Sequence, residues 1–309
     1  MRLPLRLHHQ VLGPTLFLVF INDLPEEALS RIGIYADDST VYSSITGSDQ
    51  FEKVEMAAEL EYDLRGIVEW GNRWLVTFNA TKTKLLSFNH HRDPSLVPVK
   101  MNDIELPENT SFRLLGLIFT PTMDWKPYLQ SIAKAASRKV GSLYRSRRYL
   151  TPETILYLYK STIRPGMEYC SHIWGGAPKT GGLDLLDRVQ KRIVNLIGPE
   201  LSVGLQSLLH RRNVASLSLF YKYYHAKCSA ELADLVPPRR VNVRTTRFSE
   251  RLHKYAVRPP LCKMNFYQFS FFPRTASLWN SLPPDCFPPQ YNIGVFKSRV
   301  NRVLLHTNH

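Results

Sequence analysis

The sequence predicts an α+β fold in which short antiparallel strands are confined to the first 125 residues and helices dominate the remainder. Two patterns carry this expectation. Strand-like alternation and helical periodicity interleave as far as Trp125, and beyond it the strand signals largely stop. The charge changes sign at the same place: residues 1–125 hold 11 Lys and Arg against 17 Asp and Glu, whereas residues 126–309 hold 29 against 9. A chain of 309 residues that is 44% apolar can bury real cores, which argues against a disordered polyelectrolyte.

The elements follow in order. Leu16–Ile21 is a short apolar run whose approach is interrupted by Gly13-Pro14. Gly33–Ala36 and Thr40–Tyr42 are β-like runs on either side of Asp37-Asp38-Ser39, a hairpin pattern with acids at its tip. Between Ser48 and Leu75 apolar residues such as Val54, Ala58, Leu64, Ile67 and Trp74 recur mostly three or four apart. Glu52, Glu55, Glu59, Glu61 and Asp63 fall on the other face of the resulting helix. Leu85–Phe88 is predicted as a strand. Val99–Met101 and Ile104–Leu106 flank Asn102-Asp103, a pair suited to a tight turn, and so form a second hairpin. Phe112–Phe119 reads as one strand, with Gly116 marking a bulge or a close backbone approach.

Past Trp125, Leu129, Ile132, Ala136, Val140 and Leu143 make a helical stripe, and Lys134, Arg138, Lys139 and Arg145 occupy mostly other faces. Thr151-Pro152-Glu153 is a helix start, because Thr can cap and Pro suits the first turn. Leu183, Leu186, Val189, Ile193 and Ile197 form another stripe, ended by Gly198-Pro199. A further helix is predicted from Val214 to about Cys228, and Pro237-Pro238 opens a region rich in Arg, Pro and aromatics. Phe266, Tyr267, Phe269, Phe271, Phe272 and Trp279 could stack bases there, although a small core is the commoner use of such residues.

The four cysteines lie 58, 34 and 24 residues apart, so none pairs at zinc-knuckle spacing; reduced thiols and no zinc are expected. Arg2 and Arg6 ahead of Leu16–Ile21 superficially resemble a signal peptide, but the run is short and no small-x-small cleavage site follows. No stretch approaches the ~20 apolar residues of a membrane span. The expectation is an intracellular protein of nucleus or cytoplasm, neither secreted nor in a membrane.

Tyr35-Ala36-Asp37-Asp38 is the sharpest chemical feature. Adjacent carboxylates at a hairpin tip repel each other and favour a divalent cation. Such cations, in pairs, can drive nucleotidyl transfer by activating a hydroxyl and stabilising the leaving pyrophosphate. An ordinary Asp-Asp turn would look the same. The order of further motifs narrows the choice. Val11-Leu12-Gly13-Pro14-Thr15-Leu16-Phe17 and Ile21-Asn22-Asp23-Leu24-Pro25 precede the tetrapeptide. Trp70, Asn79–Lys84, Leu114-Leu115-Gly116, Trp125, Arg164-Pro165, Tyr169-Cys170 and Trp174 follow, and Phe272–Ala276 and Leu278–Pro283 complete the series. Together these resemble the reverse transcriptases (RNA-directed DNA polymerases) of LINE-type, jockey-like non-LTR retrotransposons, from about Val11 to the tail.

That resemblance implies an incomplete reverse-transcriptase palm at 1–125 (an antiparallel sheet with helices), an all-α thumb at 126–200 and a mixed C-terminal extension at 201–309. Asp37 and Asp38 would hold catalytic Mg²⁺. Lys82 would assist pyrophosphate departure, or be a solvated lysine. Tyr35 would pack near the primer end, Ala36 would leave room for the duplex, Gly13-Pro14 would underlie template and nucleotide, and Leu115-Gly116 would form the turn supporting the primer. Lys134, Arg138, Lys139, Arg145, Arg147 and Arg148 would grip phosphates, or be the solvated face of a bundle. The implied partners are an RNA template, a DNA primer or hybrid duplex, and deoxynucleotide triphosphates. Two departures matter. Leu7-His8-His9 replaces the family's Pro-Gln-Gly, and the family's first catalytic aspartate is not among the 34 residues before Tyr35. Asp23 lies in the wrong segment to replace it, and the family's fingers and endonuclease have no counterpart here. The expectation is that this chain alone does not polymerise DNA, and that residues 1–125 are less stable than 126–200. A reading from another class is a non-catalytic module that binds RNA or an RNA–DNA hybrid.

Overall fold

The computed structural model describes residues 6–45, 49–88, 97–240, 253–262 and 265–306. They divide into two compact units: residues up to Phe112 with Thr120–Thr122, and Arg113–Phe119 with the residues from Met123 onward. Mixed helices and small antiparallel sheets make the chain α+β.

In the first unit, α1 (Arg6–Ile21) runs unbroken through Gly13 and Pro14, where the sequence suggested an interruption. An internal proline removes one helical hydrogen bond and crowds the preceding turn, and this helix absorbs both. Leu12, Leu16, Leu18 and Val19 are each more than half exposed, while Ile21 is buried. After a 3₁₀ turn at Leu24–Glu27, β1 (Arg31–Tyr35) and β2 (Asp38–Tyr42) pair antiparallel. Next, α2 (Gln50–Trp74) is capped by Asp49, whose side chain accepts from Phe51 N. The helix ends at Leu75 in a left-handed conformation with φ 60°. The predicted strand at Leu85–Phe88 reduces to a single bridge from Leu85 to Glu108. β3 (Lys100–Met101) and β4 (Ile104–Glu105) form the expected hairpin; Asn102 and Asp103 both have positive φ, as a tight turn with matching twist requires.

In the second unit, β5 (Phe112–Leu114) and β6 (Leu117–Phe119) replace the single predicted strand. Leu115 (φ 48°) and Gly116 (φ 84°) turn the chain between them, so Gly116 serves a reversal and not a bulge. The helices follow: α3 (Lys126–Ser146), α4 (Pro152–Leu158), a π-helical turn (Tyr159–Ile163), α5 (Arg164–Glu168), α6 (Ser171–Trp174) and α7 (Leu183–Ser202). Thr151 caps α4 by accepting from Thr154 N at 3.3 Å. α7 breaks at Gly198 (φ 82°, ψ 172°), just ahead of Pro199. Leu129, Ala136, Val140, Tyr159, Leu186 and Ile193 lie in one core of this unit.

α8 (Leu208–Tyr224) begins before the predicted Val214, because Ser207 supplies a cap to His210 N at 3.1 Å. With α9 (Ala230–Asp234), α10 (Asn265–Gln268), α11 (Phe271–Asn280) and α12 (Ile293–His306) it completes the unit. Phe220, Trp279 and Phe296 are fully buried in a second core there. Trp279 lies inside that core and Phe271 and Phe272 pack against it, whereas Tyr267 and Phe269 are exposed; the side chain of Phe266 lies outside the described residues. Among the described residues no helix is long and apolar enough to cross a membrane.

Candidate active site

The acidic tetrapeptide caps the β1–β2 hairpin. Tyr35 and Asp38 are the last cross-strand pair, which leaves Ala36 and Asp37 as a two-residue turn. Ala36 has φ 53°, a left-handed conformation that disfavours any residue carrying a Cβ by about 1 kcal/mol. Strand alternation decides which side chains face out. Ile32, Ile34 and Val41 turn toward a core of Ile21, Leu24, Ile67 and Trp70, while Arg31, Gly33 and Tyr35 turn to solvent. Asp37 and Asp38 are both exposed, and Tyr35 beside them is 67% exposed.

Two other acids anchor this platform. Asp63 is fully buried and accepts from Leu29 N at 2.7 Å and Ser30 N at 3.1 Å, which fixes the chain entering β1. Helical spacing had placed it on the acidic outer face; the correction follows from two backbone donors that need an acceptor inside. Asp23 accepts from Trp70 Nε1 at 3.0 Å. Gly66 lets α2 approach the preceding turn, because a Cβ there would lie 2.5 Å from the Glu27 carbonyl oxygen. Among the described residues no three His, Cys, Asp or Glu side chains gather as a metal-binding group, so Asp37 and Asp38 stand as a pair.

Lys82 is exposed on a separate turn, built by Asn79, whose side-chain oxygen accepts from Thr81 N at 2.9 Å. Gly13 and Pro14 lie within α1; His8 and His9 are in its backbone, but their side chains lie outside the described residues. Leu115 and Gly116 form the β5–β6 turn of the second unit, where Tyr169 donates its hydroxyl to the Leu115 carbonyl at 3.0 Å.

Several curated proteins are similar to this chain in sequence. Two are named "RNA-directed DNA polymerase from mobile element jockey": that of Drosophila funebris is 28% identical over 182 residues and that of Drosophila melanogaster 27% over 181, each covering 55% of this chain and 19% of the relative. The chain is similar to jockey-type reverse transcriptases. A Drosophila melanogaster protein named "Probable RNA-directed DNA polymerase from transposon X-element" is 25% identical over 259 residues, or 77% of this chain and 28% of that one. The chain thus spans less than a third of the mobile-element polymerases it matches. No family model matches it, and no solved structure matches it significantly.

The basic residues singled out from the sequence are all exposed. At about 100° per residue, Lys134, Arg138 and Arg145 fall within about 40° of arc on α3, opposite the buried Ala133, Ala136 and Val140. Lys139 points elsewhere and donates to the Thr162 carbonyl at 3.0 Å. Arg147 lies over the Tyr144 ring at 3.9 Å and Arg148 over the Tyr149 ring at 5.0 Å, so both carry aromatic partners. Sequence reasoning missed Glu168, which accepts from Arg211 Nε and, at 2.8 Å, from Arg211 Nη2. Nothing local signals a partner 43 residues away.

Proposed function

We propose that this chain is the palm-to-thumb portion of an RNA-directed DNA polymerase of a jockey-like non-LTR retrotransposon. Residues 1–125 would be part of the palm, 126–200 the thumb and 201–309 an extension. The Tyr35-Ala36-Asp37-Asp38 tetrapeptide on a two-residue turn carries this reading, because it holds two carboxylates in solvent at the end of a supported hairpin. The similarity to mobile-element polymerases supports it.

Mg²⁺ takes one or two protein carboxylates together with substrate phosphates and water, so Asp37 and Asp38 fit it as a partial donor set. Bound there, Mg²⁺ would neutralise charge developing on transferring phosphate oxygens. Tyr35 would present its ring to a primer end, Ala36 would keep the turn small beside a duplex, and Lys82 would add positive charge toward a triphosphate. The turn at Leu115-Gly116 would support the primer strand, and Gly13-Pro14 the template and nucleotide. Template RNA, primer or hybrid duplex, and deoxynucleotide triphosphates are the proposed partners.

The 309-residue chain by itself is proposed to be inactive, because among the described residues Asp37 and Asp38 have no third carboxylate gathered with them, and a pair alone leaves two metals under-ligated. One missing transition-state ligand lowers rates by about 10²–10⁴. A second reading, a non-catalytic grip on RNA or an RNA–DNA hybrid, is favoured by the stripe of Lys134, Arg138 and Arg145. A primer-extension assay with Mg²⁺, run beside hybrid binding at graded salt, tests both. The expected result is no incorporation, with metal-independent binding whose log–log salt slope is about −3 if those three residues each meet a phosphate. Incorporation that Asp37→Ala abolishes would overturn the inactivity, and binding insensitive to salt would overturn the grip.

A further inference from the structure

We propose that a cavity between α8 and α12 binds a phosphate group. The cavity has a volume of about 550 Å³, and its walls include Arg211, Arg212, Lys297, Asn301, Ser171 and Glu168. Three cations therefore face one carboxylate, and that carboxylate is already engaged by the guanidinium of Arg211. Arg212 is the decisive residue. It is only 3% exposed, and its Nε and Nη1 have no hydrogen-bond partner. The Trp174 ring, 5.9 Å from its guanidinium carbon, can offer a cation–π contact but no acceptor. Those two donors are shut off from solvent; a buried guanidinium normally has them satisfied, and a tetrahedral oxyanion in the cavity would do so once the Arg212 side chain shifts toward it.

The surroundings carry both signs: the charges of Asp187 and Glu168 act on Arg212, and a further cation, Arg274, lies near it. Burial pushes the Arg212 guanidinium below its ordinary pKa. Burial, with the Arg212 charge added, brings that of the adjacent Arg274 down to about 10. The Asn301 side-chain oxygen is held by Gln206 Nε2 at 3.0 Å and lies 2.8 Å from His210 Nε2, which leaves the Asn301 amide NH₂ to donate. The ligand is therefore rich in acceptors, polyanionic and compact. It could be free inorganic phosphate or a phosphodiester of a single-stranded nucleic acid.

This inference does not rest on the polymerase reading, and Asp37→Ala is expected to leave it unchanged. The test uses the 309-residue chain. Inorganic phosphate is titrated at constant ionic strength against chloride while thermal stability is followed, and a labelled oligothymidylate is then bound and competed with phosphate. The expected result is saturable stabilisation by phosphate, weakened about tenfold or more in Lys297→Ala and in Arg212→Met. Lys297 is exposed, so that variant reports even if Arg212→Met folds poorly. If the same variants weaken oligothymidylate binding and phosphate competes with it, the source is a nucleic-acid backbone; if only inorganic phosphate responds, the source is free phosphate. A phosphate response no greater than that of chloride, or full affinity in Lys297→Ala, overturns the proposal.

Discussion

Replacing Trp70 by alanine should release the acidic hairpin from its support. Trp70 is 1% exposed, with ring centroids 5.3 Å from Phe20, 6.4 Å from Trp74 and 6.3 Å from Phe78. It shares its core with the inward-facing Ile32, Ile34 and Val41 of the hairpin. Truncating a buried tryptophan costs about 3–5 kcal/mol. Asp23 also loses the indole donor, and because it is only half-buried that loss adds about 1 kcal/mol. A total of about 4–6 kcal/mol is comparable to the whole stability of many domains. Hydrogen exchange at the amides of Gly33, Tyr35 and Thr40, which lie in the hydrogen-bonded pairs of the hairpin, reads the effect. Trp70→Phe, which keeps a ring but loses the indole donor, should give a smaller acceleration in the same amides. Wild-type protection of those amides in Trp70→Ala would refute the idea that this side chain holds the tip in place.

Glu168→Ala should destabilise the second unit by about 2 kcal/mol in urea titration, since it strips the acceptor from the half-buried Arg211 and the nearby charge from Arg164. Gly176→Ala would place a Cβ 1.9 Å from the Phe269 carbonyl oxygen and should cost about 2–3 kcal/mol. By contrast Gly13→Ala, with nothing within 4 Å, should stabilise α1 by up to about 1 kcal/mol, measured by helix protection. Burial lowers the pKa of His253 and of His172 below the ordinary histidine value. The unfolded chain therefore binds more protons near and below pH 6.5, so stability present above that pH should fall as pH drops through it. His253→Gln should flatten this acid limb in thermal scans, and an unchanged slope would count against the assignment.

What the sequence made legible was local chemistry. The hairpin around Asp37-Asp38, the Asn102-Asp103 turn, the Thr151 cap and the stop at Gly198-Pro199 each depend on residues next to one another; the last three stand where they were expected, and the hairpin forms with its turn shifted to Ala36-Asp37, which leaves Asp38 and Ser39 in β2. What escaped reading depends on partners far along the chain. Asp63 looks like any acid on a helix face until the loop of Leu29 and Ser30 brings its amides over it. Local reading missed the β5–β6 turn because Leu115 holds a left-handed φ that leucine seldom adopts, so Gly116 alone suggested a bulge in one strand, and only the family resemblance put a turn at Leu115-Gly116. Of the candidate site, the tip residues share one turn, while Lys82 stands on another and Leu115-Gly116 belong to the second unit.

The π-helical turn at Tyr159–Ile163 makes the chain intolerant of a small deletion. One residue fewer there would favour ordinary α-helical pitch between Pro152 and Ile163, although Pro165 would still break the hydrogen-bond ladder beyond it. The deletion would also rotate everything after it by about 100° and carry the Glu168 carboxylate away from Arg211. The irregular turn thus sets the phase of α5: the wider loop absorbs a residue so that one acid meets its base.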